Sequence, residues 1–117
     1  MSVVIVHCAC PDAATADRLA RALVDERLAA CASVLPGMRS TYRWQGRVEQ
    51  ADEVLLLAKT TDACLQACTD RLQAMHPYEL PEVIAVEAAG GLLPYLAWVA
   101  DETRPDPLQT SLQTEPG

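Results

Sequence analysis

Two strand–helix halves on either side of one long hairpin predict an α+β sandwich, an antiparallel sheet with its helices on one face. Three observations carry that expectation. Apolar, β-rich runs occupy residues 2–10, 31–60 and 81–87, and three-four apolar spacing fills the stretches between them. The chain has 117 residues, 50% of them hydrophobic, which suits one core and leaves little room for a second.

The first run, 2–10, stops at Pro11-Asp12, where proline ends a central strand and Asp offers a helix cap. From Asp12 to Ala30, Ala16, Leu19, Ala20, Leu23, Val24 and Leu28 recur at the spacing of a buried helical face, with Asp17, Arg18, Arg21 and Asp25 pointing away. Cys31 to Trp44 reads as one long strand bent at Pro36-Gly37. Gln45-Gly46 turns it back into a second strand from Arg47 to Thr60, ending in Val54-Leu55-Leu56-Leu57-Ala58. A second helix follows from about Asp62 to His76, its face set by Leu65, Cys68, Leu72 and Met75 and its end by Pro77. Residues 81–87 give a fourth strand, Gly90-Gly91 a break, and Leu93 to Glu102 a helix carrying Tyr95 and Trp98. The order βαββαβα is that of the split βαβ, ferredoxin-like sandwich with an added C-terminal helix. Residues 1–104 form the predicted domain. Residues 105–117 hold three prolines and no periodic apolar face, so a disordered tail is expected there.

Charge narrows the function. Nine Lys plus Arg against sixteen Asp plus Glu give a net charge of -7, which offers no basic field for phosphates, so no nucleic-acid partner is expected. No run approaches the roughly 18 apolar residues of a membrane span and the first ten residues lack a basic leader, so a soluble, cytoplasmic protein is expected. Five cysteines lie in strand-like or helix-like stretches, which points to reduced thiols. No GxSxG elbow, P-loop, GxGxxG, HExxH or CxxC is present, and the chain is expected to be no enzyme.

The hairpin argues for self-association. Fourteen residues from Cys31 to Trp44 extend roughly 46 Å at about 3.3 Å each, far beyond the ~13 Å radius of gyration of a domain this long. An overhanging pair of strands carrying Met38, Tyr42 and Trp44 exposes apolar surface and open edges, which a closed oligomer covers.

Several stretches together carry a resemblance. They are Glu26-Arg27-Leu28-Ala29-Ala30-Cys31-Ala32-Ser33-Val34-Leu35-Pro36-Gly37, then Ser40, Tyr42, Trp44, Gly46 and Glu49, and Leu56-Leu57-Ala58-Lys59-Thr60-Thr61. His76-Pro77-Tyr78-Glu79, Pro81-Glu82 and Tyr95-Leu96-Ala97-Trp98 follow in order. Over residues 3–104 the chain resembles the CutA, divalent-cation tolerance, family. The resemblance implies a homotrimer with hairpins pairing between subunits, akin to the PII signalling proteins, and a role in response to copper or other divalent metal ions. It departs from some members at Ser33, where they carry Asn, and at Met75, where they carry a second histidine.

The candidate metal ligands are Cys8, His76 and Glu82. Cys8 matches the family's metal-linked cysteine before Pro-Asp, and His76 stands at a helix end, where carbonyl dipoles favour a cation. A thiolate, an imidazole and a carboxylate suit Cu(II), with Zn(II) and other divalent cations as further cargo. Cys8 and Cys10 share a strand face about 6.6 Å apart, too far for easy chelation of one ion, which leaves Cys10 and Met75 as adjacent spares. Cys64 and Cys68 read as core. A second constellation joins Lys59, at a strand end, to Trp44, Tyr78 and Trp98 as the walls of a cleft for a small charged ligand; the resemblance places it between subunits. It supports an alternative reading, a PII-like regulator that senses a small molecule.

Overall fold

The computed structural model describes residues 2–103; the predicted tail, 105–117, lies outside the described residues. β1 (Val3–Cys10), α1 (Ala13–Asp25), β2 (Cys31–Trp44), β3 (Arg47–Thr61), α2 (Leu65–Met75), β4 (Val83–Glu87) and α3 (Leu93–Glu102) follow one another in the order expected from the sequence. A single 3-10 turn, Asp62–Cys64, leads into α2. The sheet order is β2-β3-β1-β4, with every neighbour antiparallel. This is the ferredoxin-like α+β sandwich.

Alternation along β1 decides which face meets the helices. Val4, Val6, Cys8 and Cys10 are buried, and across the register they meet Thr60, Ala58, Leu56 and Val54 of β3. Ala16, Leu19 and Leu23 of α1 and Cys68 and Leu72 of α2 close this core from above. Asp12 caps α1 as expected, its carboxylate accepting from the Thr15 N–H at 2.8 Å. That bond holds the Asp12 carboxyl below the usual carboxylate range.

Helix α1 is shorter than its periodicity implies. It ends at Asp25, and Val24, expected on the buried face, is 41% exposed. The chain reverses through Arg27 at φ 61°, with Arg27 N–H bonded to Val24 O and Leu28 N–H to Leu23 O. These two bonds make a Schellman cap, with arginine where glycine is usual. Glu26, at the same corner, pairs with Arg71 of α2 at 3.0 Å.

The hairpin follows the sequence closely. The register shifts between Leu35 and Met38, so the bulge falls on Pro36-Gly37, with Gly37 at φ 86°. Gln45 and Gly46 both take positive φ, the requirement of a type I′ turn. β1 pairs only with Val54–Thr61 of β3, so Arg39–Trp44 and Arg47–Asp52 pair with each other alone and project past the sheet.

Helices α1 and α2 cover one face. The other carries Ile5, His7 and Leu57 with Leu35, Ile84 and Val86, and Ile84 and Val86 remain 59% and 49% exposed. α3 packs on β1 and β3, buries Val99, and brings the Tyr95 hydroxyl to the Cys31 thiol. Among the described residues no helix is long and apolar enough to cross a membrane.

Candidate metal centre

Cys8 and Cys10 lie at the C-terminal end of β1, facing the helices, and His76 is the C-cap residue of α2 above them. Pro77 sets that position, because a residue before proline leaves the helical region and His76 takes an extended conformation. All three side chains are buried, at 0%, 0% and 8% exposure. Their ligand atoms lie within 4.8 Å of one another. Tetrahedral zinc with sulfur bonds of about 2.3 Å holds two donors about 3.8 Å apart, so about 1 Å of side-chain movement closes the set.

The geometry corrects the expectation for Cys10. The strand rise separates the backbones of residues two apart by about 6.6 Å, but side chains on one face can tilt together and bring their sulfurs closer than that rise. Cys10 is therefore a member of the cluster and not a spare. Met75, the other spare, is partly buried and packs against the core. Glu82 is exposed and stands outside the group of three, although its charge reaches Cys8 and opposes ionisation of that thiol.

The two thiols form a coupled pair. Their mutual S–H contact holds the Cys8 proton firmly, with burial adding to the effect, and favours the Cys10 thiolate. As a thiol, Cys10 also makes a weak S–H contact to Cys8 O at 3.8 Å. Cys68 is a different case, a core thiol pushed up to about 12 chiefly by burial. Cys64 donates to Thr103 O at 2.7 Å, so this helix pair serves the core, as expected from the sequence.

His76 is held at both ring nitrogens. Nε2 stands 2.8 Å from Ala9 O, and the Tyr78 backbone N–H donates to Nδ1 at 3.1 Å. Only the neutral Nε2–H tautomer satisfies both bonds. The Tyr78 ring rests against the imidazole at 4.7 Å between centroids, and its hydroxyl donates to Glu53 Oε2 at 2.8 Å. Glu53, buried on β3 beside the bulge, thus steadies Tyr78, and Tyr78 steadies His76. Burial, then the bond to Glu53, raises the Tyr78 phenol above its ordinary range. Glu53 was not singled out in the sequence; its one signal is a carboxylate directly before the apolar run that begins at Val54.

The four residues expected to wall a cleft occupy separate surroundings within one chain. Trp44 ends β2 at the hairpin tip, opposite Arg47, and Lys59 lies twelve residues further along β3 than Arg47, a span of about 40 Å. Lys59 Nζ stands 3.5 Å from Ser33 Oγ on the sheet face away from α1 and α2. Tyr78 belongs to the histidine, and Trp98 stacks on Tyr95 at 5.5 Å beside Val24 and Ala29.

Comparison with known proteins gives the family. The family model described as CutA1 divalent ion tolerance protein matches residues 4–102. The chain belongs to the CutA1 divalent ion tolerance family. It is 45% identical over 93 residues to a divalent-cation tolerance protein CutA of Thermus thermophilus, covering 80% of this chain and 90% of that protein. To the chloroplastic CutA 1 of Oryza sativa it is 41% identical over 101 residues, 86% of this chain but only 57% of the rice protein. The chain thus spans little more than half the length of that relative. The crystal structure of CutA from Xylella fastidiosa superposes with a TM-score of 0.86 at 47% identity, covering 89% of this chain and all of that one. The family model and the Thermus relative are both named for tolerance of divalent ions.

Proposed function

We propose that the chain binds a transition-metal ion, copper or zinc, at Cys8, Cys10 and His76, and that it serves divalent-cation tolerance as a cytoplasmic homotrimer without catalysing a reaction. The observation that carries this reading is the buried cluster of two thiols and one imidazole, with donor atoms within 4.8 Å of one another. Sulfur and imidazole donors suit copper and zinc and do not suit magnesium or calcium. Glu82 adds a carboxylate near Cys8 that strengthens the pull on a cation. Binding displaces protons from the thiols, so uptake weakens in acid. Loading through either nitrogen of His76 also breaks one of the two hydrogen bonds that hold the ring.

Assembly follows from the uncovered sheet face and the projecting hairpin. In a trimer the hairpin of one copy reaches a neighbour, which is how Trp44 comes near Lys59, Tyr78 or Trp98 of another copy. Lys59 favours the second reading, a small anion sensed between subunits, because its Nζ lies 3.5 Å from the neutral Ser33 hydroxyl and, among the described residues, pairs with no carboxylate.

Calorimetric titration with Zn(II) tests the metal reading. Cys8→Ser and His76→Ala, each first checked for an intact fold, lose most of the binding, and Cys64→Ser binds like the parent. Parent-like binding by both of the first two variants moves the site elsewhere, with the Lys59 surroundings next to be searched.

A further inference from the structure

The cluster can be read further than the presence of a metal site, and this step rests on the metal reading above. Among the described residues, the group that converges holds two sulfurs and one nitrogen and includes no carboxylate. His76 already spends both ring nitrogens on hydrogen bonds at 2.8 and 3.1 Å, whereas the thiols hold only weak contacts such as Cys10 to Cys8 O at 3.8 Å. Sulfur therefore supplies two of the three converging donors.

Charge selects further. A divalent ion that displaces both thiol protons leaves the net charge of the pocket unchanged, with two protons going to solvent and the ion bonded to two thiolates. A monovalent ion doing the same leaves one extra negative charge in a buried site, which resists it. Copper(II) prefers tetragonal nitrogen and oxygen donors, so the second sulfur favours an ion of filled d shell over it. An ion with long bonds to sulfur also spans a donor set reaching 4.8 Å with less rearrangement than zinc requires.

We infer that Cys10 sets the selectivity of the site, making it a dithiolate pocket for soft divalent ions of filled d shell, with cadmium(II) held more tightly than zinc(II). Cys8 and His76 alone would form a thiolate–imidazole pair suited to borderline ions. The second sulfur shifts the preference towards thiophilic ones.

The test is competition between Cd(II) and Zn(II) for the full-length protein under anaerobic conditions, with X-ray absorption at the cadmium edge counting bound sulfurs. The parent prefers cadmium by at least about tenfold and shows two sulfurs per ion. Cys10→Ser and Cys10→Ala, confirmed folded by their circular dichroism melts, lose about 100-fold in cadmium affinity, lose less for zinc, and show one sulfur. One sulfur in the parent, or a cadmium preference unchanged in folded Cys10 variants that still bind zinc, overturns the inference and leaves the metal reading standing. A parent that binds neither ion overturns both. The sulfur count of the parent decides the matter even where both variants fail to fold.

Discussion

At the scale of single residues, Tyr78 does the least obvious work. Its backbone N–H fixes the His76 tautomer, its ring rests on the imidazole, and its hydroxyl ties the pair to Glu53 on β3. Tyr78→Phe removes the hydroxyl and leaves the buried Glu53 carboxylate short of a donor. The expected cost is about 1 kcal/mol, at the low end for a bond to a charged group because the ring is partly exposed. Zinc affinity falls by about tenfold, the lower range for a group that supports a ligand. Alkali gives a second signature. The folded state raises the phenol above its ordinary value of 10.0, so the stability it contributes is complete below that pH and is lost as pH rises through the folded value. Urea melts of the parent lose stability above about pH 10, and those of Tyr78→Phe lose less over the same interval. Unchanged metal affinity together with an unchanged alkaline profile in the variant contradicts this role. Cys8 and His76 were legible in the sequence because their motifs have fixed surroundings. Glu53 was not, since a carboxylate on a strand is normally solvated and only the fold brings Tyr78 over it. Cys10 was not legible there, since strand rise measures backbone separation and says nothing of where two sulfurs converge.

At the scale of elements, boundaries separate what periodicity can read from what it cannot. β2 and α3 have the limits expected from the sequence, and the bulge and type I′ turn fall where Pro36-Gly37 and Gln45-Gly46 place them. The apolar spacing overextends α1 by five residues, because Leu28 continues it although Arg27 has already left the helix. No glycine or proline marks that exit. Left-handed backbone costs a non-glycine residue roughly 1 kcal/mol, partly offset in Arg27→Gly by the greater freedom of glycine in the unfolded chain. Arg27→Gly is therefore expected to raise stability by up to about 1 kcal/mol, measured by chemical denaturation, without altering metal uptake. A fall in stability means that the arginine makes contacts that outweigh its strain.

At the scale of the whole molecule, the sheet has one face under α1 and α2 and another that keeps Ile84 and Val86 exposed. Together with strands that project past the sheet, this predicts closed self-association, and light scattering after gel filtration should give about three times the chain mass of 12.6 kDa. Ile84→Asp places a charge on that face and should lower the measured mass while leaving the helical core folded. A monomeric parent at micromolar concentration, or an Ile84→Asp variant of parental mass, counts against burial of this face between copies. The fold class was legible because alternation and three-four spacing are properties of the single chain. The cleft was less so, because Trp44 and Lys59 lie about 40 Å apart in one copy and only assembly can bring such residues together. The most direct measurement of the central claim is an anomalous difference map from crystals grown with Zn(II). A single strong peak per chain, about 2.3 Å from both the Cys8 and Cys10 sulfurs and bonded to His76, is the predicted result. A peak at Glu82 or on the Lys59 face with the Cys8–Cys10–His76 cluster empty would contradict it.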